Sequence, residues 1–544
     1  MAGLLYVTMQ PSPELGSQFT DWYQNEHGPL RLRLPFVENG FRYRAVDAQT
    51  PEWLALYDIT DMQELTREPY LELRGDRIRT AREKDTMGRT AVDRRLYDTL
   101  QDQDRQIPGY RALDQQPDTE SAGAVLLANT MKVKPGEPED DFNRWYAEEH
   151  IPMLSRVPGW RRSRRFVTSV IDSAQPKKEY LALHEFAAVN GLGGAEHNAC
   201  VDTPWRTKVM DTAVLERTRR IYQWTYTFGP APRELHSLLR DGNNNGTQPW
   251  SSNDGRTKTF PSTTRPAVES FVTTADGVDL PYRLEGGSGD PNAPVVVLSS
   301  SILVDWSVWD GFVDAFFANP KNHGFRILRY LTRGRLSKAG EQPINIDVLA
   351  SDVITLLDAL RVPSATLIGV SLGGVTVLNT ALLHPSRVQR FIACDTNSSS
   401  PESNRKAWND RIVLAEGDKA VSEVSGEAIV GETLADATTR RWFFDDSLPQ
   451  FAHVKEVVKN NSLEGFRRAA QALCAYDVRE RMAHGSVPGL FVAGSADGVL
   501  PQTMAKMAED YKLDAELKLV DKAGHLPMVE QPHSFAQLVN EFMH

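Results

Sequence analysis

Cysteine is scarce in this chain. Cys200, Cys394 and Cys474 are the only three in 544 residues, odd in number and far apart. They build no disulfide framework and no paired zinc spacing, which points to a reducing compartment. Long apolar runs are missing too. No uninterrupted stretch approaches the length that spans a bilayer, and the opening Met1-Ala2-Gly3-Leu4-Leu5-Tyr6-Val7 is too short for a secretion signal. Nor is there a basic excess: the formal net charge is −11, which argues against nucleic acid as a partner. What is present, 41% hydrophobic and 24% charged residues, is the composition of a soluble globular protein. The expectation is a cytoplasmic protein acting on a small molecule, with neither nucleic acid nor membrane as partner. Oligomeric state is not fixed by any of this.

The length calls for several domains, and the first sign of them is an internal repeat. Phe19, Trp22, Tyr23, Glu26, His27 and Pro29 recur as Phe142, Trp145, Tyr146, Glu149, His150 and Pro152, each 123 residues later. Leu54-Ala55-Leu56 answers Leu181-Ala182-Leu183, and Arg94-Arg95-Leu96-Tyr97 answers Arg219-Arg220-Ile221-Tyr222. This is a tandem duplication with units at 1–110 and 120–228. In the second unit, Ala124–Ala128 reads as a buried strand and Glu139–Ser155 has helical spacing. Glu179–Phe186 and Arg220–Thr227 are strand-like. The order strand, helix, strand, strand, helix, strand predicts a ferredoxin-like α+β unit, twice over.

Residues 229–265 change character. Asp241-Gly-Asn-Asn-Asn-Gly-Thr and the Pro-Trp-Ser-Ser-Asn-Asp-Gly after it are polar and turn-forming, which predicts a linker. From 266 to 544 short apolar strands alternate with amphipathic helices, among them Val295–Leu298, Ile346–Leu360, Ala365–Val370 and Gly489–Ala493. That rhythm predicts a mostly parallel sheet covered on both faces. Residues 398–486 interrupt it with helices only, the pattern of a cap.

Chemistry concentrates in this last region. Gly369-Val370-Ser371-Leu372-Gly373 is a Gly-x-Ser-x-Gly pattern. Alone it is weak, since roughly one chain in five of this length matches by chance at average composition. Its context, after one strand and before one helix, is that of a nucleophile elbow. A serine hydroxyl needs a base. His525 in Ala523-Gly524-His525-Leu526-Pro527 fits, while His384 and His533 fit helix-end or surface roles. Asp497 follows the strand Gly489–Val492 and is the choice to orient His525; Asp395, directly after Phe391–Cys394, is its rival. The order serine, aspartate, histidine is that of an α/β hydrolase. An oxyanion hole needs two backbone N–H groups, expected from Leu372 and Ile302. Trp306, Trp309, Trp442 and Phe443 are candidates for an aromatic pocket, with plain core packing as the alternative. His27 and His150 are candidates in the repeats, where each otherwise packs a helix end. No metal or organic cofactor is implied.

Two resemblances follow from these residues. The Trp-Tyr-x-x-Glu-His-x-Pro pattern resembles the EthD-like branch of the dimeric α/β-barrel proteins, in which two sheets pair into a barrel. Leu298-Ser299-Ser300-Ser301-Ile302, Arg329-Tyr330-Leu331-Thr332-Arg333-Gly334 and Glu530-Gln531-Pro532 resemble the 3-oxoadipate enol-lactonases, as do Trp408, Arg411 and Asp477 in the cap. Leu303 stands where that family has glycine, Leu331 where it has aspartate, and Arg335-Leu336 where it has His-Gly. The resemblance implies a serine esterase or lactonase acting through an acyl-enzyme, without fixing the substrate. A carbon–carbon bond hydrolase on the same scaffold is an alternative. So is a bifunctional enzyme whose barrel carries a lyase, isomerase or oxygenase step.

Overall fold

Alternation of side chains explains the N-terminal unit. In Leu54-Ala55-Leu56-Tyr57, the two leucines face one buried cluster and Ala55 and Tyr57 another. A strand buried on both faces needs a covering layer on each. Here the strands close on themselves. The computed structural model describes residues 1–100, 104–172, 178–240, 247–288, 290, 292–336 and 338–544. It divides into one unit of Met1–Pro232 with Asn244–Gly255, and a second of Arg233–Asn243 with Arg256–His544.

The strands of the first unit are β1 (Gly3–Pro11), β2 (Val37–Ala45), β3 (Trp53–Ile59), β4 (Thr90–Thr99), the short β5 (Arg105–Gln106), β6 (Val125–Val133), β7 (Trp160–Thr168), β8 (Glu179–Phe186) and β9 (Val214–Thr227). Their order is β4-β1-β3-β2-β9-β6-β8-β7, and β7 pairs back on β4. The result is a closed antiparallel barrel, with β5 added beside β7. One seam joins Phe41 to Thr227 and Ala45 to Tyr222; the other joins Tyr97 to Thr168 and Thr99 to Phe166. Leu4, Tyr6, Phe41, Leu126, Phe166, Leu181 and Tyr222 fill the interior. Outside, Phe19, Trp22 and Tyr23 cover one half and Phe142, Trp145 and Tyr146 the other. The helix expected over Glu139–Ser155 is broken: Glu137–Trp145, a π-helical turn Tyr146–His150, then Ile151–Leu154. Its counterpart has the same turn at Tyr23–His27. Such single π turns are rare and gather at functional positions.

Residues 229–265, expected to link, divide between the units. Leu235 and Leu238 are buried with the second, and Asn253 Nδ2 donates to the carbonyls of Asp76, Arg77 and Arg79 in the first. Most of the turn-rich run at 241–247 lies outside the described residues.

The second unit is built on a sheet in the order Lys258–Phe260, Ala267–Thr273, Asp279–Gly286, Arg326–Tyr330, Val295–Ser299, Ala365–Val370, Val388–Cys394, Gly489–Gly494, Glu516–Val520. The first strands of that order pair antiparallel, up to the contact of Asp279–Gly286 with Arg326–Tyr330, and the remaining pairs are parallel. Four central strands are buried along their whole length, as strands covered on both faces must be. Asn345 caps the helix Ile346–Ala359 by accepting from the amides of Asp347 and Val348. Helices Ser403–Asp418, Glu432–Trp442, Pro449–Lys459, Leu463–Gln471 and Arg479–Met482 fill the stretch expected to be a cap. Among the described residues, no helix is long and apolar enough to cross a membrane.

Leu367 sits fully buried in the middle of the sheet. Leu367→Ala is expected to lower the stability of this unit by about 2–5 kcal/mol through lost transfer energy and a residual cavity. Urea unfolding followed by tryptophan fluorescence checks this.

Candidate active site

Ser371 is where the buried strand Ala365–Val370 turns into the helix Leu372–Leu383. Its backbone has φ 58° and ψ −117°, a strained conformation for a residue with a side chain. The flanking glycines make that turn possible. A Cβ on Gly369 would lie 2.1 Å from the Gly373 carbonyl oxygen, and one on Gly373 would lie 2.1 Å from the Ser299 carbonyl oxygen. Two hydrogen bonds hold the turn: the Ser371 N–H donates to the Cys394 carbonyl at 2.9 Å, and Thr396 Oγ1 donates to the Ser371 carbonyl at 2.8 Å. Sequence reading gave no reason to single out Thr396.

The loops after neighbouring strands bring the other groups to the same edge. Asp395 follows Val388–Cys394, Asp497 follows Gly489–Gly494, and His525 follows Glu516–Val520. These strands are adjacent and parallel, with Val370 opposite Cys394, Cys394 opposite Val492, and Gly494 opposite Val520. His525 Nδ1 lies 2.7 Å from Asp497 Oδ2. The His525 ring stacks on Trp442 with centroids 5.5 Å apart, and its amide donates to the Trp442 carbonyl at 2.7 Å.

The rival carboxyl, Asp395, is beside this pair. Its Oδ1 accepts the Gly494 amide at 2.9 Å, while its buried Oδ2 meets no N–H or O–H donor. It interacts instead with the Asp497 carboxyl. Two carboxylates in such contact cannot both be ionised. Complete burial, then the charge of Asp497, pushes the Asp395 carboxyl well above the usual carboxylate range. Burial also acts to raise Asp497, but the hydrogen bond and charge of His525 outweigh it, and Asp497 falls below the usual carboxylate range. Of the two carboxyls, Asp497 is the one whose anionic form is favoured beside His525. Donor atoms of Asp395, Asp497 and His525 lie within 4.8 Å of one another, a set that could in principle hold a cation. Asp497 and His525 are already committed to each other, which makes this a poor ligand set.

Sequence reading also gave no role to Glu530, which the structure makes the fastener of the histidine loop. Its carboxylate accepts the Gly524 amide at 2.6 Å, the Phe444 amide at 2.8 Å and the Asp445 amide at 3.1 Å. It thus ties the loop carrying His525 to the cap segment carrying Trp442. Burial pushes the Glu530 carboxyl up, and the three amides act against that.

The remaining candidates separate. Leu372 is the first residue of its helix, so its N–H has no partner within the helix. Ile302 is buried, and its amide donates to no acceptor among the described residues. Leu303, standing where enol-lactonases have glycine, takes φ 72°, the left-handed region glycine favours. Trp309 packs against Phe312 and Phe535 and donates to Ser300 Oγ at 3.1 Å, a core role. Phe443 packs against Phe451, and Trp306 is half-buried. His27 and His150 lie in the other unit.

Comparison with known proteins agrees with this architecture. Residues 287–538 match the alpha/beta hydrolase family. The 3-oxoadipate enol-lactonase 1 of Acinetobacter baylyi is 29% identical over 282 residues, 50% of this chain and 96% of the relative. A pimeloyl-acyl-carrier-protein methyl ester esterase of Aeromonas hydrophila is 25% identical, over 46% of this chain and 95% of its own. The enol-lactonase structure from Burkholderia xenovorans LB400 is 30% identical, with TM-score 0.43, covering 49% of this chain and 96% of its own. The C-terminal half is an α/β hydrolase. Within that class it resembles the enol-lactonases.

Glu530→Gln puts an amide N–H₂ where one carboxylate oxygen accepts backbone N–H groups. The expected result is a loss of about 1–3 kcal/mol from unsatisfied buried donors, read as a lower urea midpoint. An unchanged midpoint would remove Glu530 from this role.

Proposed function

We propose that the C-terminal half is a serine hydrolase of lactones or esters, with Ser371 as nucleophile, His525 as base and Asp497 as its orienting carboxylate. The observation that carries this is the strained elbow at Ser371, on the same sheet edge as the His525–Asp497 pair. With Nδ1–H donated to Asp497, the His525 Nε2 lone pair is left to take the Ser371 proton. The serine oxygen adds to the substrate carbonyl, and the oxyanion is held by the amides of Ile302 and Leu372 at the start of a helix. Collapse expels the alcohol or enol, protonated by His525, and leaves an acyl-serine. Water, deprotonated by His525, then releases the acid and restores Ser371. Asp395 acts behind this group as a neutral donor that keeps Asp497 ionised and in place.

Supporting a lactone or ester, rather than a carbon–carbon bond, are the relatives named enol-lactonase and methyl ester esterase. The altered mouth, with Leu303, Leu331 and Arg335-Leu336 in place of smaller or polar types, leaves the particular substrate open. The barrel is read as two ferredoxin-like repeats of the EthD-like kind. The same last-first-third-second strand order in β4-β1-β3-β2 and in β9-β6-β8-β7 supports that reading.

Labelling with a serine-directed fluorophosphonate, followed by peptide mass mapping, tests the nucleophile. The adduct is expected on Ser371 and absent from Ser371→Ala; a folded wild type that stays unlabelled would refute the reading. Asp497→Asn is expected to cut kcat on an aryl ester by about 10⁴, because the imidazole loses its orienting anion. Asp395→Asn keeps a donor to Asp497 and is expected to stay within about tenfold of wild type. Asp395→Ala removes that donor and is expected to fall further, at a cost of about 1–3 kcal/mol.

A further inference from the structure

Duplication puts equivalent positions in equivalent places, and in the N-terminal unit the position that partners the repeated histidine breaks the equivalence. Trp22 and Trp145, Glu26 and Glu149, His27 and His150, Thr80 and Thr203 all stand 123 residues apart. Their contacts repeat as well. Thr80 Oγ1 donates to Glu26 Oε1 at 2.6 Å, and Thr203 Oγ1 donates to Glu149 Oε1 at 2.6 Å. Each threonine also caps the helix after it, accepting from the Glu83 amide in one repeat and the Arg206 amide in the other. The histidine ring lies against the tryptophan in both, at 4.6 and 4.5 Å between centroids.

Glu83 and Arg206 are themselves equivalent, and their charges are opposite. In the first repeat Glu83 satisfies its neighbours: it accepts from Trp22 Nε1 and pairs with His27 Nδ1 at 3.0 Å. Burial acts to raise the Glu83 carboxyl, but the charge and hydrogen bond of His27 hold it at about 2. In the second repeat no carboxylate fills that place. Trp145 Nε1 donates to Glu149 instead, at 3.1 Å. His150 Nδ1 has no hydrogen-bond partner, and Arg206 has no side-chain ion pair or hydrogen bond among the described residues. Burial, aided by the charge of Arg206, keeps His150 neutral, at about 3.

A cavity of about 360 Å³ opens at this position, with His150, Trp145 and Arg206 on its wall. Leu127 and Met131 give it apolar sides, and Arg219 stands exposed at its edge. That volume suits a small organic ligand. A guanidinium without a partner, beside an aromatic face and apolar side chains, is a receptor for a planar anion carried on a ring. We propose that this cavity binds a small cyclic or aromatic carboxylate, its carboxylate paired with Arg206 and its ring against Trp145 and Met131, with the His150 ring beside it. The ligand's anion takes the place that Glu83 occupies in the first repeat. This inference is independent of the hydrolase reading, since every residue it uses lies in the N-terminal unit.

Isothermal titration of the full-length protein with benzoate, and with benzamide as the uncharged isostere, tests it. Saturable benzoate binding is expected, at least about tenfold tighter than benzamide because a charge-assisted pair is lost. Arg206→Glu copies the His27–Glu83 arrangement into the second repeat, so it should fold and lose benzoate binding. Should Arg206→Glu not fold, Arg206→Gln decides, with the same expected loss. No saturable binding by wild type up to about 10 mM, equal binding of benzamide, or undiminished binding in the folded Arg206 variant would each overturn the proposal.

Discussion

The approach of Gly373 to the Ser299 carbonyl is the constraint on which the hydrolase unit depends. At this point the start of the helix after Ser371 and the end of the strand Val295–Ser299 come closer than any side chain allows. The contact sets the sharpness of the elbow and so the exposure of the Ser371 side chain at the sheet edge. It also sets the Ser300 carbonyl against the start of that helix. One backbone contact thus fixes the elbow at Ser371 against the end of the strand Val295–Ser299. The strain at Ser371, and at Leu303 on the other side, is borne by strands buried along their full length.

The side of the candidate site that carries Asp497 and His525 is fixed by a different means. Its loops are longer, and buried carboxyl groups hold them. Glu530 gathers three amides from the histidine loop and the cap, so any movement of the cap at Trp442–Asp445 is felt at His525. The Asp395 and Asp497 carboxyls are pushed in opposite directions, the deeper one up by burial and the other down by His525. The environment treats two chemically identical side chains differently: one lies beside the imidazole, the other is buried behind it.

Much of this was legible in the residues. The Gly-x-Ser-x-Gly run between a strand and a helix, and the loop positions of Asp497 and His525, could be read because backbone geometry dictates them locally. The repeat at an offset of 123 residues was legible because its aromatic spacing recurs. Closure of the barrel was less so, since the pairings of β2 with β9 and β4 with β7 join residues far apart in sequence. The antiparallel strands at the start of the second sheet were missed because they lie next to a polar, turn-rich run. Glu530 was visible only as part of the Glu530-Gln531-Pro532 resemblance; its burial against three amides is what gives it a role. Trp309 shows the converse, an aromatic residue whose pocket or core role sequence leaves open and packing assigns to the core. The exchange of Glu83 for Arg206 was in plain view at the repeat offset, but its meaning needed the partners of His27 and His150.

The central claim is a covalent acyl intermediate on Ser371, and pre-steady-state hydrolysis of 4-nitrophenyl acetate tests it most directly. An initial burst of 4-nitrophenolate approaching about one equivalent per chain, with an acetyl group trapped on Ser371 by acid quench and found by mass, is the predicted result. Steady release without a burst, and no acyl group on Ser371 in the quenched protein, would contradict the account.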